Sequence, residues 1–396
     1  MDRMRRNVWL LAGCQALMMS ANSLLLVASP LVGARLAVDA SLATLPLAVQ
    51  YLATLLTTFP ASFLMKRIGR RCGFLVGSFA GLSAAGLAAY AIVHGSYPLF
   101  VAAAALFGAH NGFGTFYRFA AADTATPEYR SRAISYVMAG GVVAAFVGPN
   151  LANWTSGWLV GAEFAGSFLA LLGVYAAAAI ALLFVDIPRP AETAPTAAAR
   201  PLKQIARQGT FVVAVLAAML GYGIMNLVMV ATPLAMHDHH HALADTAFII
   251  QWHVLGMFAP SFVTGHLIRR FGVLNILLAG ALLNAGCVMI NLLGTAVAHF
   301  WAALVLLGVG WNFLFVGGTT LLTEAYREEE KAKAQALNDF LVFTTISLTS
   351  LASGALQHHF GWQAVNLGVV PLIAIILAAV LWLRPQYRSP VPDAFT

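Results

Sequence analysis

Charge is what this chain has least of. Only 9% of its 396 residues are Asp, Glu, Lys or Arg, and 60% are hydrophobic. No soluble domain of this length sustains that balance without a large exposed apolar surface. Cysteine is nearly absent too: Cys14, Cys72 and Cys287 lie scattered, with neither the spacing nor the number of a disulfide framework or a zinc site. No nucleophile–base pair, phosphate loop or zinc-hydrolase motif is present, so the chain is not read as an enzyme. Acids are missing from the middle of every apolar run; Asp123 and Asp339, with Arg118, stand toward run ends. A buried carboxylate is what a proton-coupled drug antiporter leans on, which weakens that reading.

What the chain does have is apolar runs long enough to cross about 30 Å of hydrocarbon at about 1.5 Å per residue. They fall near 8–34, 42–65, 73–93, 97–119, 133–152 and 162–185, then 210–234, 245–268, 272–294, 298–323, 335–356 and 363–383. That makes an all-α polytopic membrane protein of twelve spans. The net charge of +7 is not a nucleic-acid footprint, because Arg3, Arg5, Arg6, Lys66, Arg67, Arg70, Arg71, Arg130, Arg132, Arg200, Lys203, Arg207, Arg269, Arg270, Lys331, Lys333, Arg384 and Arg388 all sit at alternate run ends. The positive-inside rule makes those ends, and both termini, cytoplasmic. The opposite ends hold His94, His237, His239, His240, His241, His299, His358 and His359, with Arg35 as the main cation. The basic, apolar N-terminus is read as a retained first span rather than a signal peptide.

The segment 186–209 is polar and rich in Pro, Ala and Thr, and it divides the runs six and six. It is expected to be a cytoplasmic linker between an N-terminal six-helix bundle, 1–185, and a C-terminal one, 210–396. The halves repeat each other: Ser62-Phe-Leu-Met-Lys-Arg-Ile-Gly69 corresponds to Gly265-His-Leu-Ile-Arg-Arg-Phe-Gly272, and Asp123 ahead of Arg130 to Glu324 ahead of Lys331. The stretch 62–71 resembles the loop signature G-x-L-x-D-R-x-G-R-R of the Major Facilitator Superfamily, with Ser62 for the first Gly and Lys66 for the Asp. The resemblance implies a substrate site near the midplane between the bundles and alternating access by rocking. It also implies gating by the charges Lys66, Arg67, Arg70, Asp123, Arg269, Arg270 and Glu324; a solvated, orientation-setting loop is the other account of them.

Soft donors stand where charges do not. Met225 and Met229 share a face of the seventh span, and His253 and Met257 a face of the eighth. Counted from the outer ends, Met229, His253, Met225 and Met257 lie about 8, 12, 14 and 18 Å deep. Thioether and imidazole suit copper, whereas Mg, Ca and Mn want oxygen. Methionine is also an ordinary gap-filler, and an intramembrane His is commonly a helix contact. M-x-x-x-M in the seventh span with H-x-x-x-M in the eighth resembles the CcoA-type copper importers of that superfamily. The resemblance implies copper as substrate, no permanently bound cofactor, copper carriers on either side as partners besides the lipid bilayer, and supply of cbb3-type cytochrome oxidase assembly. Cys14 with Met18, and Met236 with His237, His239, His240 and His241, are accessory candidates. His110 with Asn111 is a further cavity candidate, and Gly221 and Gly223 are places where the seventh helix would bend or pack closely.

The alternative is an importer of a neutral or aromatic organic solute such as a flavin, or a multidrug exporter. Under the solute reading Phe116, Tyr117, Trp252, Trp311 and Asn312 would stack on and hydrogen-bond the ligand.

Overall fold

The structure is a computed structural model describing residues 3–126, 129–187 and 200–387. Among these residues every regular element is helical. The first six spans are Arg3–Leu36, Ala40–Ile68, Arg70–Val93, Tyr97–Thr124, Ala133–Thr155 and Ala165–Leu183. The seventh is Gly209–Asp238, the ninth Val273–Leu293 and the tenth Val297–Thr323. Between them the eighth is a broken span, Leu243–Phe258 and Ser261–Phe271, bent by 44° where Pro260 cannot continue the hydrogen-bond ladder. The last helical stretch, Lys333–Leu383, has 51 residues, more than twice what a bilayer needs. It divides at Gly361, whose φ of 75° no helix contains. The eleventh span ends there and the twelfth begins, so twelve crossings stand as expected.

The repeat is visible in backbone geometry. The second and eighth spans each end on a glycine, Gly69 (φ 88°, ψ 154°) and Gly272 (φ 81°, ψ 148°), which starts the next helix at once. Ala28-Ser-Pro-Leu31 in the first span recurs 203 residues later as Ala231-Thr-Pro-Leu234 in the seventh. The same offset relates the second and eighth spans. Gly108 in the fourth lies so close to the second that an added Cβ would meet Gln50 O at 2.2 Å and Thr54 N at 3.0 Å; one at Gly308 in the tenth would meet His253 O at 2.5 Å and Met257 N at 3.0 Å. Gln50 therefore corresponds to His253, and Thr54 to Met257. Both contacts need glycine because one backbone rests on another.

The two halves touch on one side of the membrane. At the histidine end Gly354 N in the eleventh span donates to Thr44 Oγ1 at the start of the second (3.0 Å), and Asn150 Nδ2 in the fifth donates to Gln251 Oε1 in the eighth (2.6 Å). Toward the basic end the fifth span's inner segment, Arg130–Met138, and the eighth's, Ser261–Phe271, pack against elements of their own half. Arg118 and Asp339 are exposed there, one on each half, interacting electrostatically without forming an ion pair. Hydrogen bonds between the halves close the cleft at the histidine end.

The polar segment is partly anchored. Residues 188–199 of it, like 388–396 at the C-terminus, lie outside the described residues. Beyond them Leu202–Ala206 forms a short helix, and Glu330, almost wholly buried, accepts from Arg200 Nε (2.7 Å), Nη2 (2.6 Å) and backbone N (3.0 Å). Arg200 holds the Glu330 carboxyl down to about 2.

Candidate functional site

The seam between the halves carries an aromatic group. Trp311 stacks on Phe315 one turn below it in the tenth span (5.0 Å, 8° between planes), as residues four apart on a helix must face alike. Tyr222 of the seventh span meets both edge-on, at 5.1 and 5.5 Å, and Phe258 at the break of the eighth meets Trp311 at 6.0 Å. These are the offset and edge-to-face arrangements that ring quadrupoles favour. The group reaches the other half twice. Tyr51 of the second span packs into the same small cluster as Tyr222 and Phe315, and a Cβ added at Gly141 in the fifth span would sit 2.7 Å from Phe258 Cγ. Tyr51, Tyr222, Phe258 and Phe315 are partly exposed, and Trp311 Nε1 has no hydrogen-bond partner.

The N-terminal half carries an amide group. Asn22 Oδ1 in the first span accepts from Gln50 Nε2 of the second (3.1 Å) and from Asn111 Nδ2 of the fourth (2.9 Å). Asn22 is half-buried, and Gln50 is the chain neighbour of Tyr51. Sequence reasoning missed Asn22, Gln50, Tyr51, Tyr222, Phe258 and Phe315. The repeat offset was the available signal, because it puts Asn22 in register with Met225 and Gln50 with His253.

Of the residues expected to face an organic ligand, only Trp311 belongs to this seam. Tyr117 is buried in the N-terminal half against Phe74 at 4.7 Å, and Phe116 packs on Phe119. Trp252 packs on Phe248 and Trp301. Asn312 is wholly buried and spent on the break of the eighth span: it donates to Met257 O (2.7 Å) and Ser261 Oγ (2.6 Å) and accepts from Thr264 Oγ1 (2.6 Å).

The four soft donors are built into helix packing. Met225 and Met229 are 1% and 2% exposed within the main apolar core. His253 donates through Nδ1 to Leu304 O of the tenth span (2.8 Å), the carbonyl being able only to accept. Met257 lies beside Gly308. The seventh span packs chiefly on the eleventh and tenth, the eighth on the tenth and fifth, and the two touch each other only slightly, so matched depth does not make them close neighbours. Cys14 points at Ala178 O in the sixth span (3.7 Å) and Met18 lies against Gly114 in the fourth, both inside their own half. Met236 is buried, and the histidine run is a helix cap: His239 closes the seventh helix, His240 turns with φ 59°, and His241 Nε2 donates to Thr295 O (2.7 Å). Among the described residues no three His, Cys, Asp or Glu side chains gather as metal ligands. His110 donates through Nδ1 to Gly77 O (2.9 Å) within the N-terminal half. Gly221 and Gly223 let Leu314 and Thr345 approach a helix that stays continuous, so they serve packing rather than bending.

Near the basic turns Arg70 pairs with Asp123, while Lys66 lies over the Phe63 ring at 5.7 Å and Arg67 and Arg269 are exposed. The C-terminal counterpart is not symmetric. Glu324 accepts from the Tyr387 hydroxyl (2.9 Å) rather than from a cation, and Arg270 lies over Phe271 at 5.3 Å.

The Major Facilitator Superfamily profile matches residues 11–251 and again, overlapping, 214–395. The chain belongs to the Major Facilitator Superfamily. Among its relatives in that superfamily is the riboflavin transporter RfnT of Brucella anthropi, 41% identical over 385 residues, covering 96% of this chain and 97% of the relative. An uncharacterised transporter of the same type, YddS of Bacillus subtilis, is 30% identical over 80% of this chain and 77% of its own. The structure of the superfamily transporter FucP in its outward conformation matches with a TM-score of 0.63 at 17% identity, over 98% of this chain and 100% of that one. That last likeness bears on the fold.

These findings correct the copper reading. A relative alike over nearly its whole length is named for riboflavin, not copper, and the resemblance to CcoA-type importers rested on two four-residue spacings. Copper as substrate, copper carriers as partners and supply of cytochrome oxidase assembly fall with it. The physical reason is that Met225 and Met229 are buried in the apolar core and the His253 ring is hydrogen-bonded to Leu304 O of the tenth span.

Proposed function

We propose that this protein imports a neutral, flat heteroaromatic solute of the flavin class by alternating access, its ring lying against Tyr222, Phe258, Trp311 and Phe315. The likeness to a riboflavin transporter over 96% of the chain carries the reading. The seam supports it: stacked and edge-on rings suit a fused ring system, and the middle of the cleft lacks charged side chains, as an uncharged ligand requires.

In this reading the basic end is cytoplasmic by the positive-inside rule, in a bacterial inner membrane with both termini inside. The cleft, closed at the opposite end, is then in the state from which an importer releases its solute. The bundles 1–185 and 210–396 rock about the seam, and Arg70 with Asp123 steadies the second-to-third turn as they do, with Lys66, Arg67, Arg269, Arg270 and Glu324 as the neighbouring gate charges. Catalysis has no part in it.

The test is growth of a riboflavin-requiring bacterium that lacks its own uptake system. Expression of the wild type restores growth at low micromolar riboflavin; Trp311→Ala at equal membrane abundance does not. Absence of rescue by well-expressed wild type would overturn the reading.

A further inference from the structure

Three amide side chains meet where the substrate's ring is not. Asn22 Oδ1 already accepts two hydrogen bonds, from Gln50 and Asn111. An amide has two donors on nitrogen and two lone pairs on oxygen, so Asn22 Nδ2, Gln50 Oε1 and Asn111 Oδ1 retain capacity. None of these three atoms has a partner within the described protein, and none is among the sealed, unsatisfied atoms of the interior. Each therefore reaches open space. Hydrocarbon would leave such groups costly and unpaired, so the space is the aqueous cleft.

The repeat shows what the other half does at the same places. At the 203-residue offset Asn22 matches Met225 and Gln50 matches His253, and the glycine contacts at Gly108 and Gly308 put Asn111 level with Trp311. At these places one half carries amides, while the other carries Met225 and His253, both buried in packing, and Trp311 of the aromatic group. Tyr51, one residue on from Gln50, packs against the same C-terminal cluster, Ala218, Val342 and Ile346, as Tyr222 and Phe315, so the second span that carries Gln50 reaches the aromatic seam.

We propose that Asn22, Gln50 and Asn111 form a polyol subsite that holds the hydroxylated chain of a substrate whose ring lies on the C-terminal aromatics. This rests on the flavin reading and deepens it. Amides suit hydroxyls because each partner both gives and accepts. The trio contains no cation, so a phosphate ester at the end of the chain finds no counter-charge there and is bound more weakly.

The experiment is binding to detergent-purified full-length protein, read by quenching of flavin fluorescence, with riboflavin, lumiflavin (the same ring with a methyl in place of the chain) and riboflavin phosphate. The wild type binds riboflavin at least about tenfold more tightly than lumiflavin, the gain expected of one or two net hydrogen bonds, and more tightly than the phosphate. Asn22→Leu weakens riboflavin about tenfold and leaves lumiflavin within twofold; Asn111→Leu does the same and carries the test if Asn22→Leu does not fold. Wild type that binds both flavins equally, or variants that weaken both equally, overturns the subsite and leaves the flavin reading standing. Wild type that binds neither flavin overturns both.

Discussion

The two halves share a scaffold and differ in chemistry. Gly69 and Gly272 turn the chain alike, Gly108 and Gly308 seat one helix on another alike, and Pro30 and Pro233 stand 203 residues apart inside equivalent spans. Yet the N-terminal half places Asn22, Gln50 and Asn111 where the C-terminal half places Met225, His253 and Trp311. Duplication fixes backbone approach, because a glycine contact tolerates no side chain; it leaves the side chains at equivalent positions free to diverge. The proposed two-faced site uses that freedom.

The largest break in the comparison is expected where the halves meet. A Cβ on Gly354 would lie 2.5 Å from Thr44 Oγ1 and 3.2 Å from Ser41 O, so Gly354→Leu wedges the histidine end open. Riboflavin uptake should fall at least about tenfold, while a cysteine placed in the cleft becomes reactive toward an impermeant reagent from the outer side. Next comes the ring surface. Trp311→Ala removes the centre of the aromatic group and should weaken riboflavin by about ten- to a hundredfold, from lost area and ring geometry, measured by fluorescence quenching.

The shared scaffold predicts equality. Gly108→Ala and Gly308→Ala each force backbone apart and should destabilise by a similar amount, about 1–3 kcal/mol, read as matched falls in thermal midpoint in detergent. The basic turns predict inequality, since Arg70 has an acid partner and Arg270 lies over the Phe271 ring: Arg70→Ala should slow uptake several-fold and Arg270→Ala by less than twofold. The smallest effect concerns pH. Glu330 is depressed to about 2 by Arg200, so its contribution is present above the ordinary carboxylate range and lost only as pH falls toward 2. Glu330→Gln should lower the thermal midpoint equally at pH 5.5 and pH 8.

The fold was legible because span length, basic turns and the repeat are written in composition and spacing. The break at Pro260, the division at Gly361 and the closed histidine end depend on contacts between distant spans, such as Thr44 with Gly354, which no local pattern announces. The orientation of the soft donors was not legible. Depth along a helix can be counted from sequence, but direction around it cannot, and His253 turns to Leu304 rather than to the seventh span. Asn22 and Gln50 stood alone in apolar runs, and only their convergence with Asn111 marks them.

The central claim is tested most directly by riboflavin uptake into proteoliposomes holding the purified wild type, beside Met225→Leu and Asn22→Leu. Saturable uptake that survives Met225→Leu, where volume and apolarity are kept, and falls about tenfold with Asn22→Leu is the predicted result. Uptake no greater than in empty vesicles, from protein whose thermal unfolding shows it intact, would contradict it.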